Sequence, residues 1–237
     1  MKYLKLFNLE SDYLTYRDSK DYLKPNVSLT DDNGKVHYNY SSPFNGYDYV
    51  DLGLPSGTKW ATMNVGASKA SDAGLYFQWG DTVGYTAAQV GTDKQFNWND
   101  CKWYSDGKFT KYTNLGEALE LEDDAAHANM GGSWHMPSPT QIQELLNNTT
   151  NTWTTQNGVN GRLFTSTKDN SKSIFFPAAG DAWDGSVRNS GDCGNVWSSM
   201  LDTDGVDGGQ DLYFSSGNVG LSYNNRYDGI SVRGVVG

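Results

Sequence analysis

The sequence has no apolar run close to the roughly 20 residues that span a bilayer. Its start, MKYLKLFNLESDY, carries acidic and polar side chains where a signal peptide needs an apolar stretch. We therefore expect a chain that neither crosses a membrane nor is exported by that route. Cys101 and Cys193 are too few and too far apart for a disulfide scaffold or a four-ligand zinc site. A single bridge between them stays open, although two separate buried thiols are favoured.

Positive charge is also scarce, because 18 Lys and Arg stand against 28 Asp and Glu, a formal net charge of -10. Such a chain repels the phosphate backbone, so nucleic-acid binding is disfavoured. Charged residues make up only 19% of the chain, whereas 27 Gly, 8 Trp, 15 Tyr and 9 Phe indicate many turns and aromatic side chains. This composition excludes a disordered polymer and a coiled coil.

The amino-acid composition of the chain changes near residue 46. Residues 1–46 are dense in Lys, Asp and Tyr and poor in Gly, and they contain Asn33-Gly34 between two short β-type runs. That dipeptide is typical of a two-residue hairpin turn, so a small hairpin is predicted here. A Ser-, Pro- and Gly-containing linker at 41–46 would join this segment to one domain at 47–237.

Two helices are predicted in this domain. Asp123 is the expected cap of the first, over 124–129, which Gly131-Gly132 would end. The second begins with a capping box at Ser138-Pro139-Thr140-Gln141 and carries one apolar stripe that would dock on a sheet.

Strands are predicted over 163–167, 173–176, 195–198, 212–215 and 230–236. Two short helices among many short strands indicate the α+β class. The Gly-, Asp- and Asn-rich segments between the strands are predicted to be long loops that carry function, over 178–195, 199–211 and 220–228.

Several blocks stand out by their order: YVDLGLPSGTKW at 49–60, YFQWGD at 76–81, DAAHANMGGSWHMP at 124–137, WSS at 197–199, LYFSSGN at 212–218 and NRYDGISVR at 225–233. Together they resemble the Fibrobacter succinogenes major paralogous domain, a relative of the formylglycine-generating and C-type-lectin-like folds. The resemblance covers about 47–237 and departs at His135, where the family usually has Arg. It implies a C-type-lectin-like domain with short twisted antiparallel sheets, two short helices and long loops.

Residues 1–16, MKYLKLFNLESDYLTY, resemble the leading segment of structural proteins from crAss-like phages of gut Bacteroidales. This resemblance implies a virion protein, assembled in the host cytoplasm, in which 1–46 binds other virion proteins and 47–237 is exposed on the particle. A head fibre and a tail-associated appendage both fit. Because so short an anchor buries little surface alone, we expect a homo-oligomer, with dimer and trimer both open.

Aromatic and polar side chains alternate in the C-terminal third, and this mixture suits sugars. Aromatic faces pack on the C–H side of a pyranose, while carboxylates and amides pair with its hydroxyls. The candidate ligand-binding residues with this chemistry are Trp183, Asp184, Asp202, Asp204, Asp207, Gln210, Asp211, Tyr213, Ser222, Tyr223, Asn225 and Tyr227. Six other tryptophans are assigned to the core, namely Trp60, Trp79, Trp98, Trp103, Trp134 and Trp197.

Metal and cofactor sites are not expected. The acidic segment 202–211 lacks the Gly and Glu that a calcium loop needs at its sixth and twelfth positions, so a solvated loop is favoured over a calcium site. Formylglycine-generating relatives use a copper-bound Cys pair near their C-terminal end, and this chain has only Cys193 there. That chemistry is therefore expected to be absent.

The expected function is non-catalytic binding of a host surface ligand, with a glycan preferred over a protein. His37, His127 and His135 are scattered along the chain, so no Ser-His-Asp set is indicated, and the many carboxylates define no glycosidase pair. A purely architectural decoration or assembly role is the main alternative, and a polysaccharide-trimming enzyme ranks last. The Asp, Asn, Ser, Tyr and Gly at 220–228 also allow the hypothesis that a retroelement diversifies this segment through adenine changes.

Overall fold

The structure is a computed structural model that describes residues 26–30, 36–39 and 45–237. Contacts within the chain divide it into two units, Met1–Tyr49 and Val50–Gly237, and each is described by itself. In the described part of the chain, no helix combines the length and the apolar character that crossing a membrane requires.

The described residues of the first unit include two strands, β1 (Asn26–Thr30) and β2 (Val36–Asn39). They pair antiparallel, with Thr30 opposite Val36, which confirms the two arms of the predicted hairpin. The Asn33-Gly34 turn lies outside the described residues. So do most of the predicted linker and residues 1–16, which carry the phage resemblance.

From Tyr49 onward short strands predominate. In chain order they are β3 (Tyr49–Val50), β4 (Lys59–Ala61), β5 (Tyr76–Phe77), β6 (Tyr104–Ser105), β7 (Lys108–Phe109), β8 (Thr149–Gln156), β9 (Val159–Ser166), β10 (Ser173–Pro177), β11 (Asp181–Trp183), β12 (Ser186–Arg188), β13 (Cys193–Leu201), β14 (Gly208–Ser215), β15 (Val219–Asn225), β16 (Ile230–Ser231) and β17 (Val235–Val236). Together with helices α1 (Ala125–Met130) and α2 (Pro139–Asn148), they confirm the α+β class.

The central sheet of this unit has the strand order β15-β14-β13-β16-β5. Its pairs are antiparallel except β13 with β16, where Val196 lies opposite Ser231 in parallel. Three-stranded sheets form from β10-β9-β8 and from β17-β4-β3, and the pairs β6-β7 and β11-β12 are hairpins. The main core joins these layers through Leu52, Leu54, Trp60, Ile142, Leu145, Phe164, Ile174, Phe176, Val196, Leu212, Phe214 and Val235.

Helix α2 confirms its prediction in detail. The Ser138 hydroxyl accepts a hydrogen bond from the Gln141 N–H, and the Gln141 side chain accepts one from the Ser138 N–H. Ile142 and Leu145 are buried in the main core, and Leu146 packs against it. The apolar stripe therefore docks the helix on the central sheet.

The predicted cap of α1 is wrong by one residue. Asp124 caps this helix, because its side chain accepts a hydrogen bond from the His127 N–H, and Gly131 ends it with a φ of 68°. Asp123 instead ends a 3-10 turn and binds the ammonium of Lys111 at 2.6 Å. Both residues could accept a backbone N–H, so the sequence alone does not decide between them.

The long loops predicted for the C-terminal third are largely wrong. Segment 178–195 contains the β11-β12 hairpin and the start of β13, and segment 199–211 reduces to a turn at 202–207. Strand β15 occupies most of 220–228. Gly209 serves close packing rather than flexibility, since a Cβ there would lie 2.6 Å from the Trp79 ring.

Most of the predicted strands are present, and several are longer than predicted. The exception is 230–236, which is interrupted between β16 and β17 where Arg233 is fully buried. Strand β8 follows α2 directly and was not predicted. Its sequence TTNTWTTQ is polar except for Trp153, so apolar alternation does not reveal it.

The tryptophans and cysteines largely follow their predictions. Four of the tryptophans assigned to the core are at most 1% exposed, namely Trp60, Trp79, Trp134 and Trp197. Trp103 is half-buried, and Trp98 is 37% exposed, so its assignment to the core is wrong. Cys101 and Cys193 are two separate buried thiols. Burial raises the pKa of Cys101 to about 11, which disfavours the reactive thiolate.

Candidate ligand-binding surface

The twelve predicted ligand-binding residues do not form one surface. The exposed ones are Trp183, Asp184, Asp204, Asp207 and Tyr223, the half-buried ones are Gln210, Tyr213, Ser222 and Asn225, and the buried ones are Asp202, Asp211 and Tyr227. Within β14 and β15, Gln210 lies opposite Tyr223 and Asp211 lies opposite Ser222. Because successive residues of a strand point to opposite faces, these two pairs are on different sides of the sheet.

Asp211 is fully buried and cannot meet a ligand at the surface. Its Oδ2 accepts a hydrogen bond of 3.0 Å from the Asn224 amide, while its Oδ1 has no hydrogen-bond partner. Burial, with a further contribution from the charge of Asp228, raises the pKa of Asp211 to about 8. Burial and the charge of Asp181 likewise raise the pKa of Asp228 to about 7.

The acidic turn at 202–207 does not gather metal ligands. Among the described residues, the one group that brings three such ligand atoms within 4.8 Å of one another is Glu120, Glu122 and Asp123. The Lys111 ammonium already lies 2.6, 3.2 and 2.6 Å from these carboxylates. The Lys111 ammonium therefore lies among these three carboxylates and offsets part of their charge.

A different set of side chains does form a continuous surface. Trp98 lies centrally, with its ring centroid 4.5 Å from both Tyr104 and Tyr227 and 5.9 Å from Phe109. Trp183 joins the set through its neighbour Asp184, whose carboxylate accepts a hydrogen bond of 3.1 Å from the amide of Asn97, the residue before Trp98. We call these five residues the aromatic surface. Trp98 and Trp183 are 37% and 40% exposed, so both indoles are open to solvent, whereas Tyr227 is largely buried.

A short capped turn places Trp98. Asn97 caps the 3-10 turn Trp98–Asp100, accepting a hydrogen bond of 3.0 Å from the Asn99 N–H. The Asp100 carboxylate accepts hydrogen bonds from the backbone N–H groups of Gln95, Phe96 and Asn97 at 2.7, 3.1 and 2.9 Å. Charge-assisted bonds of this kind fix the loop, so the indole is presented by a rigid backbone.

The β11-β12 hairpin places Trp183. Asp184 and Gly185 form its two-residue turn with φ values of 45° and 75°, the positive pair that a type I′ turn requires. The Asp184 carboxylate accepts a hydrogen bond of 3.1 Å from the Asn97 amide, which ties this hairpin to the Trp98 turn. The Arg188 guanidinium lies 4.5 Å from the centroid of the Trp183 ring, a cation–π contact that restrains the indole.

The electrostatics of the site centre on Tyr227. Burial raises the pKa of its hydroxyl, and the nearby carboxylates of Asp228 and Asp207 act in the same direction. The neighbouring Trp183 indole and the charge of Arg188 oppose this shift in pKa. The hydroxyl therefore stays protonated at neutral pH and remains available as a polar group.

The site joins three predicted residues, Trp183, Asp184 and Tyr227, to three that sequence reasoning missed. Trp98 was assigned to the core, while Tyr104 and Phe109 were not singled out. A signal existed for each, because Asn97 and Asp100 form a capping pattern around Trp98. Similarly, Asp106-Gly107 lies between Tyr104 and Phe109, and this dipeptide is typical of a hairpin turn.

Comparisons with family models, with curated proteins and with solved structures each find no match.

Proposed function

We propose that the domain binds a carbohydrate at the aromatic surface and does not cleave it. The observation that carries this proposal is the presentation of Trp98 and Trp183, 37% and 40% exposed, on two turns that a hydrogen bond between Asn97 and Asp184 holds together. Exposed indoles on a rigid backbone contact a pyranose ring with little loss of conformational entropy.

The polar groups around the two indoles suit sugar hydroxyls. Asp184 contributes a carboxylate, Asn97 contributes an amide, and Arg188 contributes a guanidinium next to Trp183. Carboxylates and amides accept or donate in the paired geometry that neighbouring hydroxyls offer. The surface thus combines an apolar platform with a polar rim, the composition of most small-molecule sites.

The placement of the carboxylates supports binding rather than hydrolysis. A glycosidase needs an acid with a raised pKa that reaches the scissile bond, with a second carboxylate facing it. The carboxyls with strongly raised pKa values are Asp211 and Asp228, which are 0% and 3% exposed. Neither can reach the glycosidic oxygen of a polysaccharide bound at the surface.

We further propose that the domain is C-type-lectin-like and that the protein is a virion appendage that attaches a phage to its host. The sequence blocks between residues 49 and 233 and the phage-like residues 1–16 support this assignment. Short antiparallel sheets with two short helices are in keeping with it. Display of many copies on one particle would raise the avidity of weak individual contacts.

Saccharide binding by the full-length chain tests the proposal. The probes are a glycan array and capsular polysaccharide purified from Bacteroidales cells, applied to the wild type and to Trp98→Ala and Trp183→Ala. Each substitution is expected to weaken binding by roughly tenfold, about 1.4 kcal/mol. Leu115→Ala is the matched control, because Leu115 is 56% exposed but lies outside the aromatic surface. Equal binding by all four proteins, or none by the wild type, would reject the proposal.

A further inference from the structure

Strand β15 (Val219–Asn225) forms an open edge of the central sheet. Among the described residues it pairs with β14 alone, and the sheet order places it last. An open edge presents backbone donors and acceptors that another strand can use. Its accessibility does not depend on the aromatic surface or on any ligand bound there.

The hydrogen-bond pattern identifies the residues that face outward. The hairpin closes with the Ser215 N–H donating to the Asn218 carbonyl, and at its other end the Arg226 N–H donates to the Asp207 carbonyl. Hydrogen-bonded pairs alternate with non-hydrogen-bonded pairs along an antiparallel ladder. The residues of β15 whose N–H and C=O point away from β14 are therefore Val219, Leu221, Tyr223 and Asn225. The Asn225 N–H is occupied by the Asp228 carboxylate at 3.2 Å, which leaves Leu221 and Tyr223 at the centre of the open edge.

The side chains of the same two residues are exposed and apolar. Leu221 is 39% and Tyr223 is 64% exposed, and being two residues apart they lie on one face of the sheet. Strands at open edges are usually protected by Lys, Pro or a bulge. Strand β15 has none of these, and its register with β14 is regular throughout.

The self-complementary register of this edge makes a second copy of this chain the fitting partner, and the edge carries no charge to oppose it. The chain has a net charge of -10, so two copies repel across most surfaces, yet residues 212–225 contain no charged side chain. A two-fold axis through Ser222 would place Leu221 of each copy opposite Tyr223 of the other. All four residues in these pairs have outward N–H and C=O groups, so each pair forms two backbone hydrogen bonds. Leu221 and Tyr223 of both copies would then form one apolar row.

We propose that β15 pairs antiparallel with β15 of a second copy of this chain, with Ser222 at the two-fold axis, and joins two central sheets into one. This interface fits a dimer, or an assembly built of dimers.

Sedimentation velocity of the full-length chain tests the proposal, with circular dichroism as the check of folding. The wild type is expected to dimerise, and the double variant Leu221→Lys, Tyr223→Lys, which places four ammonium groups together, is expected to weaken the dimer on the order of 100-fold or more. Leu115→Lys is the control, since Leu115 is exposed away from this edge. A monomeric wild type, or an assembly that the folded double variant leaves unchanged, would overturn the proposal.

A cross-linking variant tests the register even if the double variant fails to fold. Ser222 would face its counterpart as a non-hydrogen-bonded pair, where Cα atoms are about 4.5 Å apart, within disulfide range. Ser222→Cys is therefore expected to yield a disulfide-linked dimer in mild oxidant. Ser216→Cys, in the exposed hairpin turn, should stay unlinked, and Cys101 and Cys193 are buried. Absence of the Ser222→Cys cross-link, or equal cross-linking of both variants, would contradict the two-fold register.

Discussion

The indole of Trp98 lies 4.5 Å from the phenol ring of Tyr227, centroid to centroid, at an interplanar angle of 62°. This edge-type contact covers Tyr227 while leaving the indole 37% exposed. A residue from a 3-10 turn and one from the turn after β15 thus create a surface that neither segment holds alone. The proposed function depends on this contact.

The titration of Tyr227 should respond to Trp98. Burial is the main reason that the pKa of Tyr227 is raised, and Trp98→Ala removes part of that burial. The pKa of Tyr227 is therefore expected to fall toward its ordinary value near 10. Carbon-13 NMR of labelled tyrosine measures this shift, and Trp79→Phe, in the core, is the control. An unchanged pKa in Trp98→Ala would show that the indole does not shield the hydroxyl.

The buried carboxyl of Asp211 predicts a pH dependence of stability. Its pKa is about 8 in the folded chain, so between about pH 4 and pH 8 the folded state holds a proton that the unfolded state has released. The contribution of this group to the free energy of unfolding is therefore full below pH 4 and is lost as the pH rises to 8. Asp211→Asn should remove this dependence and raise stability at pH 8 by roughly 1–3 kcal/mol.

Urea denaturation of Asp211→Asn and the wild type between pH 4 and pH 9 measures this difference. Asp204→Asn is the matched control, because Asp204 lies exposed on the turn before β14. A difference between Asp211→Asn and the wild type that stays constant across this range would contradict the assigned ionisation.

Two glycines on the paired strands β14 and β15 should differ in their tolerance of a side chain. A Cβ at Gly209 would lie 2.6 Å from the Trp79 ring, whereas a Cβ at Gly220 would have no atom within 4 Å. Gly209→Ala is expected to lower the free energy of unfolding by roughly 1–3 kcal/mol, because it overpacks a rigid core. Gly220→Ala should be neutral or slightly stabilising, since it reduces the entropy of the unfolded chain. Equal effects in urea denaturation would show that Trp79 yields to the added atom.

Arg233 should not tolerate replacement by lysine. Its guanidinium is fully buried and donates to the Asn64 side chain at 2.9 Å and to the carbonyls of Ala61 and Phe175 at 3.0 and 3.2 Å. Burial lowers its pKa to about 9, and the ring of Phe176 lies 4.4 Å from it. A lysine ammonium cannot make these three hydrogen bonds in the same geometry. Arg233→Lys should therefore lower the free energy of unfolding by about 2 kcal/mol or more. Arg188→Lys, at a partly exposed position, should cost less in the same denaturation assay.

The sequence predicts the regular features of this fold well. The capping box at Ser138 and the apolar spacing after it specify α2 because both signals act within a few residues. Strands β10 and β13 can likewise be predicted from the sequence, because most of their residues are buried and several of these are apolar. The α+β class and the main core elements can therefore be predicted from these local patterns.

The edge of the central sheet was harder to predict for a physical reason. Strand β15 reads VGLSYNN, and Gly and Asn are uncommon in strands, yet pairing with β14 decides its conformation. The same holds for the site, because burial of Asp211 and exposure of Trp98 depend on tertiary packing. Composition correctly indicated aromatic and acidic residues in this region but not the surface that they form.

The most direct test of carbohydrate binding observes all eight indoles of the chain at once. Indole N–H signals of the full-length chain are followed by NMR during titration with purified Bacteroidales capsular polysaccharide. We predict that the signals of Trp98 and Trp183 shift, while those of the fully buried Trp60, Trp79, Trp134 and Trp197 stay in place. A titration in which the polysaccharide binds without moving Trp98 and Trp183, or in which no signal moves at all, would contradict the proposed site.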